Sequence, residues 1–530
     1  MGIKRQYLLI GVLLSILMPT VSYGKFTIEI PVRVKLFIDG EEVSSSKGKT
    51  FTRENPAQFD QTIAVIEEAS TDDLNRAVDL AREVFDKDKY GWVTNYRQRL
   101  RILYKTAEIL REEAERIAVT VALENGMPIR QARAHVLAAA EIFEFYAGLA
   151  DKVYGDSIVL SNGNVSLIFK EPVGVVAAVS PWNFPMTQAA RKIAPALAAG
   201  CTVVWKPASY TPMSAMEIYR ALAKAGLPKG VVNVIYGPGA TVGNELVRHP
   251  RIDYVSFTGE TTTGKLIMQQ AAASIKRIGL ELGGKNPGIV FDDASIEEAV
   301  RAIVFGGLRN TGQACGAISR VLVHESVHEK LVNRLAEVAK GLVIGYPLDD
   351  NTDMGPLVSK AQEEKVLGYI DFGKKAGFKV ALDGGKLSGG IYDKGYFVSP
   401  VIFDDVDPKS RLAQEEIFGP VIAVIPFKTE QEAIEIANNV IYGLTASIFT
   451  KDPARALRVA RKLQAGTVWI NDAYTQPTEG IWGGYKQSGI GRELGLYGLE
   501  EFLEIKQVYV DTTGSLDRPH WRTVMKIDKL

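Results

Sequence analysis

Cys315 sits in Gly312-Gln313-Ala314-Cys315-Gly316, where small neighbours leave the sulfur reachable. A thiolate there can attack a carbonyl carbon. Glu281 opens Glu281-Leu282-Gly283-Gly284-Lys285, straight after a strand-like run over 277–280. A carboxylate at a strand end, beside two glycines, lies on a loop that a small molecule can approach, and it can serve as general base. Asn183, in Ser180-Pro181-Trp182-Asn183-Phe184-Pro185, can offer an amide N–H to an oxyanion. Taken singly, each also fits a plainer role: a buried thiol, a solvated carboxylate, a turn between prolines. Cys201 is the only other cysteine, and there are five histidines. A disulfide scaffold is excluded, no H-E-x-x-H or C-x-x-C pattern occurs, and no metal site is expected.

Two loops suit phosphate. Phe257-Thr258-Gly259-Glu260-Thr261-Thr262-Thr263-Gly264 joins a strand to a helix N-terminus, where free N–H groups favour anions. Gly237-Pro238-Gly239 also follows a strand, but its third glycine, Gly243, falls one place late for a G-x-G-x-x-G fingerprint.

The elements that must position these residues follow from pattern. Short alternating segments over 37–66 read as small strands. Ser70-Thr71-Asp72-Asp73 is a helix N-cap signature ahead of 74–85. One long amphipathic helix is expected over 97–124 and another over 132–147. Strand-like runs at 174–179, 202–205, 231–236 and 254–257 then alternate with helical stretches at 189–199 and 214–225, which predicts parallel βαβ units. A second α/β series follows from 286 to about 474. The 530 residues, 46% apolar, suffice for two or three domains. Lys plus Arg and Asp plus Glu number 62 each. No global field draws the chain to nucleic acid. At the start, Lys4 and Arg5 precede an apolar run over 8–18, with Ser22-Tyr23-Gly24 after it. This is a signal-like pattern with a cut after Gly24, or a membrane-tethering extension.

In order along the chain, these motifs resemble the aldehyde dehydrogenase superfamily from about Phe37 to Val510. The resemblance rests on Pro181-Trp182-Asn183-Phe184-Pro185, Lys206-Pro207, Phe257-Thr258-Gly259, the Glu281 and Cys315 loops and their spacing of 34 positions. It rests also on Glu416-Ile417-Phe418-Gly419-Pro420 and Gly483-Gly484-Tyr485-Lys486-Gln487-Ser488-Gly489. It implies a Rossmann-like cofactor domain (25–151 and 171–283), an α/β catalytic domain (284–485) and an oligomerisation arm (152–170 and 486–513). Residues 1–24 are the signal-like or anchor segment, and 514–530 extend past the resemblance. Homodimers or homotetramers are usual for such arms.

The resemblance also implies a mechanism. Cys315 attacks the aldehyde, Asn183 and the Cys315 N–H hold the oxyanion, hydride passes to NAD or NADP, and Glu281 activates the water that frees the acid. Lys206 falls on the adenosine ribose, Glu416 on the nicotinamide ribose and Phe418 near the nicotinamide. Trp182, Gly239, Thr258, Gly259, Glu260, Gly264 and Leu282 lie along the dinucleotide. Two positions depart from the family's commonest pattern. Ser209 replaces a glutamate that would repel a 2′-phosphate, so NADP is expected to be accepted, even preferred. Glu260 stands where serine is common, and its carboxylate is expected to point away from the pyrophosphate.

Arg191 and Arg309 look like the pair that holds the substrate carboxylate in succinate-semialdehyde dehydrogenases. The serine which that subfamily adds is missing; Gln476 and Pro477 lie in its region. The stretch 482–495 looks instead like betaine-aldehyde dehydrogenases, which bind a quaternary ammonium on aromatic rings. A carboxylated semialdehyde ranks first, betaine aldehyde or another small aldehyde second. An inactive binding protein is a remote alternative, since nucleophile and base are both present. Nicotinamide pools are intracellular, so the expected location is cytoplasmic, with or without membrane association. Export is the alternative that the signal-like start leaves open.

Overall fold

A computed structural model describes residues 19–514 and 518–524. The apolar run over 8–18 lies outside the described residues. Two parallel-rich sheets organise the rest. The first has eight strands, in the order Gly489–Ile490, Arg277–Glu281, Tyr254–Thr258, Val175–Ser180, Thr202–Pro207, Val232–Val234, Leu36–Ile38, Glu41–Val43. Its five middle strands are parallel. The strand order reverses at Val175–Ser180: the next two strands run out on one side and Tyr254–Thr258 returns on the other. Crevices at the carboxyl ends of strands flanking such a reversal are where open α/β sheets take ligands.

The second sheet has seven strands, Lys379–Leu382, Val401–Asp404, Val421–Phe427, Ile318–His324, Asn286–Val290, Thr445–Phe449 and Thr467–Ile470 in that order. Its core strands are almost wholly apolar because both faces are buried. A separate three-stranded sheet joins Asp156–Val159, Val165–Pro172 and Leu503–Val510.

Most expected elements are present. Ser70 caps the helix Thr71–Asp86 with a full capping box. Three details differ. The stretch 97–124 is two helices, Tyr96–Glu112 and Ala114–Asn125, meeting at Glu113. The stretch 486–513 is divided between sheets: Gly489–Ile490 pairs with Arg277–Glu281, and only Leu503–Val510 joins the three-stranded sheet. The expected cut after Gly24 falls in a hairpin turn, because Thr20–Tyr23 pairs with Phe26–Glu29. Val21 is buried and the Tyr23 hydroxyl donates to Asp350. Among the described residues no helix is long and apolar enough to cross a membrane.

Candidate active site

A cavity of about 320 Å³ opens at the reversal point. Trp182 and Asn183 follow the strand Val175–Ser180, and Gly259 and Glu260 follow Tyr254–Thr258. Leu282, Gly283, Cys315, Glu416 and Phe418 complete its wall. Thus nine expected residues meet in one place: Trp182, Asn183, Thr258, Gly259, Glu260, Leu282, Cys315, Glu416 and Phe418. Tyr210, Gln362 and Lys365 also line it, and no sequence motif marked them.

The cysteine loop is held under backbone strain. Asn310, Thr311 and Gly312 are consecutive left-handed residues, with φ of 48, 58 and 72°. At Gly312 a side chain would meet the Gly419 carbonyl at 2.3 Å, so only glycine lets the two loops touch. Asn183 Nδ2 donates to the Gln313 carbonyl (3.1 Å), and Asn310 Nδ2 donates to the Asn183 carbonyl (2.8 Å). Asn286 Nδ2 donates to the carbonyls of Cys315 and Ala317. Ser488 Oγ donates to the Gly283 carbonyl (2.7 Å), which pins the glycine pair behind Cys315.

Cys315 is only 9% exposed. Burial, then the nearby charge of Glu416, pushes its thiol up to about 12, against a smaller opposing pull from Arg191. The resting sulfur is therefore a neutral thiol. Glu281 is buried at 4% exposure, not on an approachable loop as expected. Its side chain faces a small void with Ser256, Arg492 and Glu493 rather than the Cys315 cavity, and neither carboxyl oxygen has a hydrogen-bond partner. Burial, then the charge of Glu493, drives its pKa well above the ordinary carboxylate value. Lys192 Nζ donates to Glu493 at 2.6 Å beside it.

The expected cofactor residues fall in two groups. Glu416 is half-buried, accepts from the Gly284 N–H (3.0 Å), and is raised by desolvation to about 7. Phe418 adopts a left-handed φ of 62° and packs edge-on to Trp182. Glu260 is not turned away: it lines the cavity, and its charge bears on Glu416. Lys206, Ser209 and Gly239 lie outside this cavity, around the 237–243 turn. Lys206 packs its stem under Gly243, and Ser209 Oγ donates to the Gly237 carbonyl. Among the described residues, Lys206 Nζ donates only to the Pro207 carbonyl, and burial lowers its pKa to about 8. Gly264 serves packing, since a side chain there would meet Leu282 at 2.6 Å. The donor set suits a dinucleotide: a cation at one end, a helix N-terminus with the buried, unpartnered Thr258 hydroxyl, and a carboxylate at the other.

Arg191 and Arg309 lie on the far side of Cys315. Arg191 Nη2 donates to Gln476 Oε1, Nη1 is 4.0 Å from Glu493, and the guanidinium lies over Trp482 at 5.5 Å. Arg191 is thus already committed. Arg309 stacks on Phe184 (5.0 Å) and Tyr474 (5.3 Å) and, among the described residues, has no hydrogen-bond or ion-pair partner. Tyr474, unmarked by the sequence, is close enough to Cys315 that the thiol adds to the burial raising its phenol.

A chain with two parallel-rich sheets and a cysteine in the cavity at the reversal point is matched over most of its length by known proteins. The model of the aldehyde dehydrogenase family matches residues 43–508. A betaine aldehyde dehydrogenase of Bacillus subtilis is 42% identical over 480 residues, covering 90% of this chain and 97% of that protein. An aldehyde dehydrogenase of Enchytraeus buchholzi is 43% identical over 485 residues, covering 91% and 96%. Among solved structures, a Bacillus cereus aldehyde dehydrogenase in complex with NAD+ superposes with a TM-score of 0.87 at 44% identity, covering 91% and 97%. A Staphylococcus aureus betaine aldehyde dehydrogenase in complex with NAD+ gives 0.88 at 41%, covering 91% and 96%. The chain belongs to the aldehyde dehydrogenase family. It is an NAD(P)-dependent oxidoreductase acting on aldehydes. These relatives are named for betaine aldehyde or for aldehydes in general, not for succinate semialdehyde.

Proposed function

We propose that the enzyme oxidises an aldehyde that carries a carboxylate, such as succinate semialdehyde, through a thioester on Cys315. Arg309 carries this reading: a guanidinium one aromatic ring away from the nucleophile, without an anion among the described residues, clamped between aromatic rings. An unpaired cation in such a place favours a ligand that brings the missing carboxylate.

The residues then divide the work. Cys315 Sγ, once deprotonated, attacks the carbonyl carbon, and the Asn183 amide and the Cys315 N–H hold the oxyanion. Lys206 and Ser209 hold the adenosine ribose, Trp182 and the 258–264 loop the pyrophosphate, Glu416 the second ribose, and Phe418 the nicotinamide. When bound, NAD or NADP supplies the hydride acceptor. Ser209 places no negative charge against a 2′-phosphate, which supports acceptance of NADP. Glu281 swings from the Glu493 side to Cys315, takes a proton from water, and the thioester is hydrolysed to the acid.

Betaine aldehyde is the second reading. It is favoured by the Trp469, Tyr474 and Trp482 rings, whose centroids lie 6.1–6.4 Å apart, and by the names of two relatives. Against it, Arg309 and Arg191 already cover faces of Tyr474 and Trp482, so a quaternary ammonium would meet two cations. Specificity constants for succinate semialdehyde, propanal and betaine aldehyde, each with NAD and NADP, decide it. Succinate semialdehyde is expected to lead, and a lead for betaine aldehyde refutes the reading.

The exposed Ile158, Val159, Phe169 and Ile505 of the three-stranded sheet support its role as an arm that pairs copies into dimers or tetramers. A cytoplasmic location is proposed on the cofactor's ground alone.

A further inference from the structure

Behind the wall of the Cys315 cavity lies a buried cation. Arg53 belongs to the strand Thr50–Asn55, which stands outside both large sheets, and it is 1% exposed. A guanidinium so buried is costly unless its donors are used. Here they go to the carbonyls of two distant segments. Nε and Nη2 donate to the Glu124 carbonyl (3.2 and 2.6 Å), and Nη2 also donates to the Val358 carbonyl (2.8 Å). Nη1 lies 3.5 Å from Glu54 Oε1. The guanidinium carbon is 5.3 Å from the ring centroid of Tyr210.

The carbonyl and ring contacts lead to the cavity wall. Val358 and Tyr210 line it. The Glu124 carboxylate accepts the N–H groups of Met213 and Ser214 (both 2.7 Å), which open the helix Pro212–Lys224 just after Tyr210. Its neighbour Asn125 donates from Nδ2 to the Trp182 carbonyl (2.8 Å), and Trp182 stands edge-on to both Tyr210 and Phe418. The Val358 N–H donates to Gln313 Oε1 (2.9 Å), on the Cys315 loop. We propose that Arg53 is a positioning residue for the dinucleotide. From behind the wall it fixes where Tyr210, Trp182 and Val358 stand, and so the width of the slot that the cofactor enters. This rests on the reading that NAD or NADP occupies the cavity, and adds the group that shapes it. The planar fork of arginine holds two carbonyls and lies against a ring at once, whereas the compact ammonium of a lysine cannot serve all three.

The test measures the dissociation constant of NAD by titration calorimetry on the full-length enzyme and on Arg53→Lys, Arg53→Met and Trp182→Ala, with melting temperatures and steady-state kinetics alongside. Arg53→Lys should raise the constant about threefold and Arg53→Met about tenfold, since methionine leaves both carbonyls buried without this donor. The KM for NAD should rise in step, while kcat at saturating cofactor and aldehyde changes less than about twofold. A lower melting temperature with an unchanged dissociation constant in Arg53→Lys would mark a merely structural arginine and overturn the proposal. Arg53→Lys keeps the charge and most of the volume, so it decides the matter even where Arg53→Met does not fold. Trp182→Ala tests the underlying reading. If it raises the constant and the Arg53 variants do not, the cavity still holds the dinucleotide and only the role of Arg53 is lost. If Trp182→Ala leaves the constant unchanged as well, both are lost.

Discussion

The guanidinium of Arg309 lies 5.3 Å from the ring centroid of Tyr474, and Tyr474 bears on the thiol of Cys315. A cation is thereby fixed one ring away from the nucleophile. Replacing Arg309 with Gln removes the charge but keeps bulk and hydrogen-bonding capacity. The specificity constant for succinate semialdehyde should fall at least tenfold, since hydrogen bonds to charged groups are worth about 1.5–3 kcal/mol. Betaine aldehyde should become a better substrate in the same variant. Steady-state kinetics on both compounds checks this, and parallel losses on both would argue for a merely structural arginine.

Glu281→Gln separates acylation from hydrolysis. The variant should still form the thioester, so stopped-flow fluorescence should show one equivalent of reduced cofactor in a burst. Turnover should then fall by about 10²–10⁴, the usual contribution of a general base. Mass spectrometry should find the acyl group on Cys315. Full steady-state turnover would show that another group activates water.

Glu416 should make dinucleotide binding depend on pH. Desolvation raises its carboxyl to about 7, so it is neutral below that value and an anion above it. Only the anion is a full acceptor for two ribose hydroxyls. The dissociation constant should therefore fall as pH rises through about 7. Titration calorimetry in the wild type and Glu416→Gln checks this; the variant should show a flat profile over the same window. The same shift gives the opposite sign for the empty protein. A raised folded-state pKa contributes stability below the ordinary carboxylate value, and that contribution is lost as pH rises to about 7.

Ser209→Glu should turn the enzyme toward NAD. The new carboxylate would stand by the 237–243 turn, where a 2′-phosphate would lie. Preference for NADP over NAD should drop at least tenfold, measured as the ratio of specificity constants. An unaltered ratio would move the adenosine ribose away from this turn.

The sequence showed the alternation of strands and helices, the reversal-point loops and the catalytic candidates Cys315, Glu281 and Asn183, because these depend on local pattern and on ordered motifs. It missed what depends on side-chain direction. Glu281 ends a strand, and the strand's facing sends its carboxyl toward Glu493 rather than Cys315. The helix over 97–124 reads as continuous because its apolar period hardly changes across Glu113, while the chain turns there. Gly489–Ile490 is too short to carry a strand signal, and only pairing with Arg277–Glu281 defines it. Lys365 and Tyr474 carry no motif, and distant parts of the chain bring them to the site. Arg191 and Arg309 read alike in sequence, yet Gln476 and Glu493 occupy one and leave the other free.

The burial of Cys315 also protects the idle enzyme. Alkylating agents and peroxides react with thiolates, and a buried thiol held near 12 offers almost none at neutral pH. The nucleophile is shielded from oxidative damage until its proton is removed for catalysis. A cell exposed to peroxide would then lose this activity fastest while the enzyme is turning over, and slowest when substrate is absent.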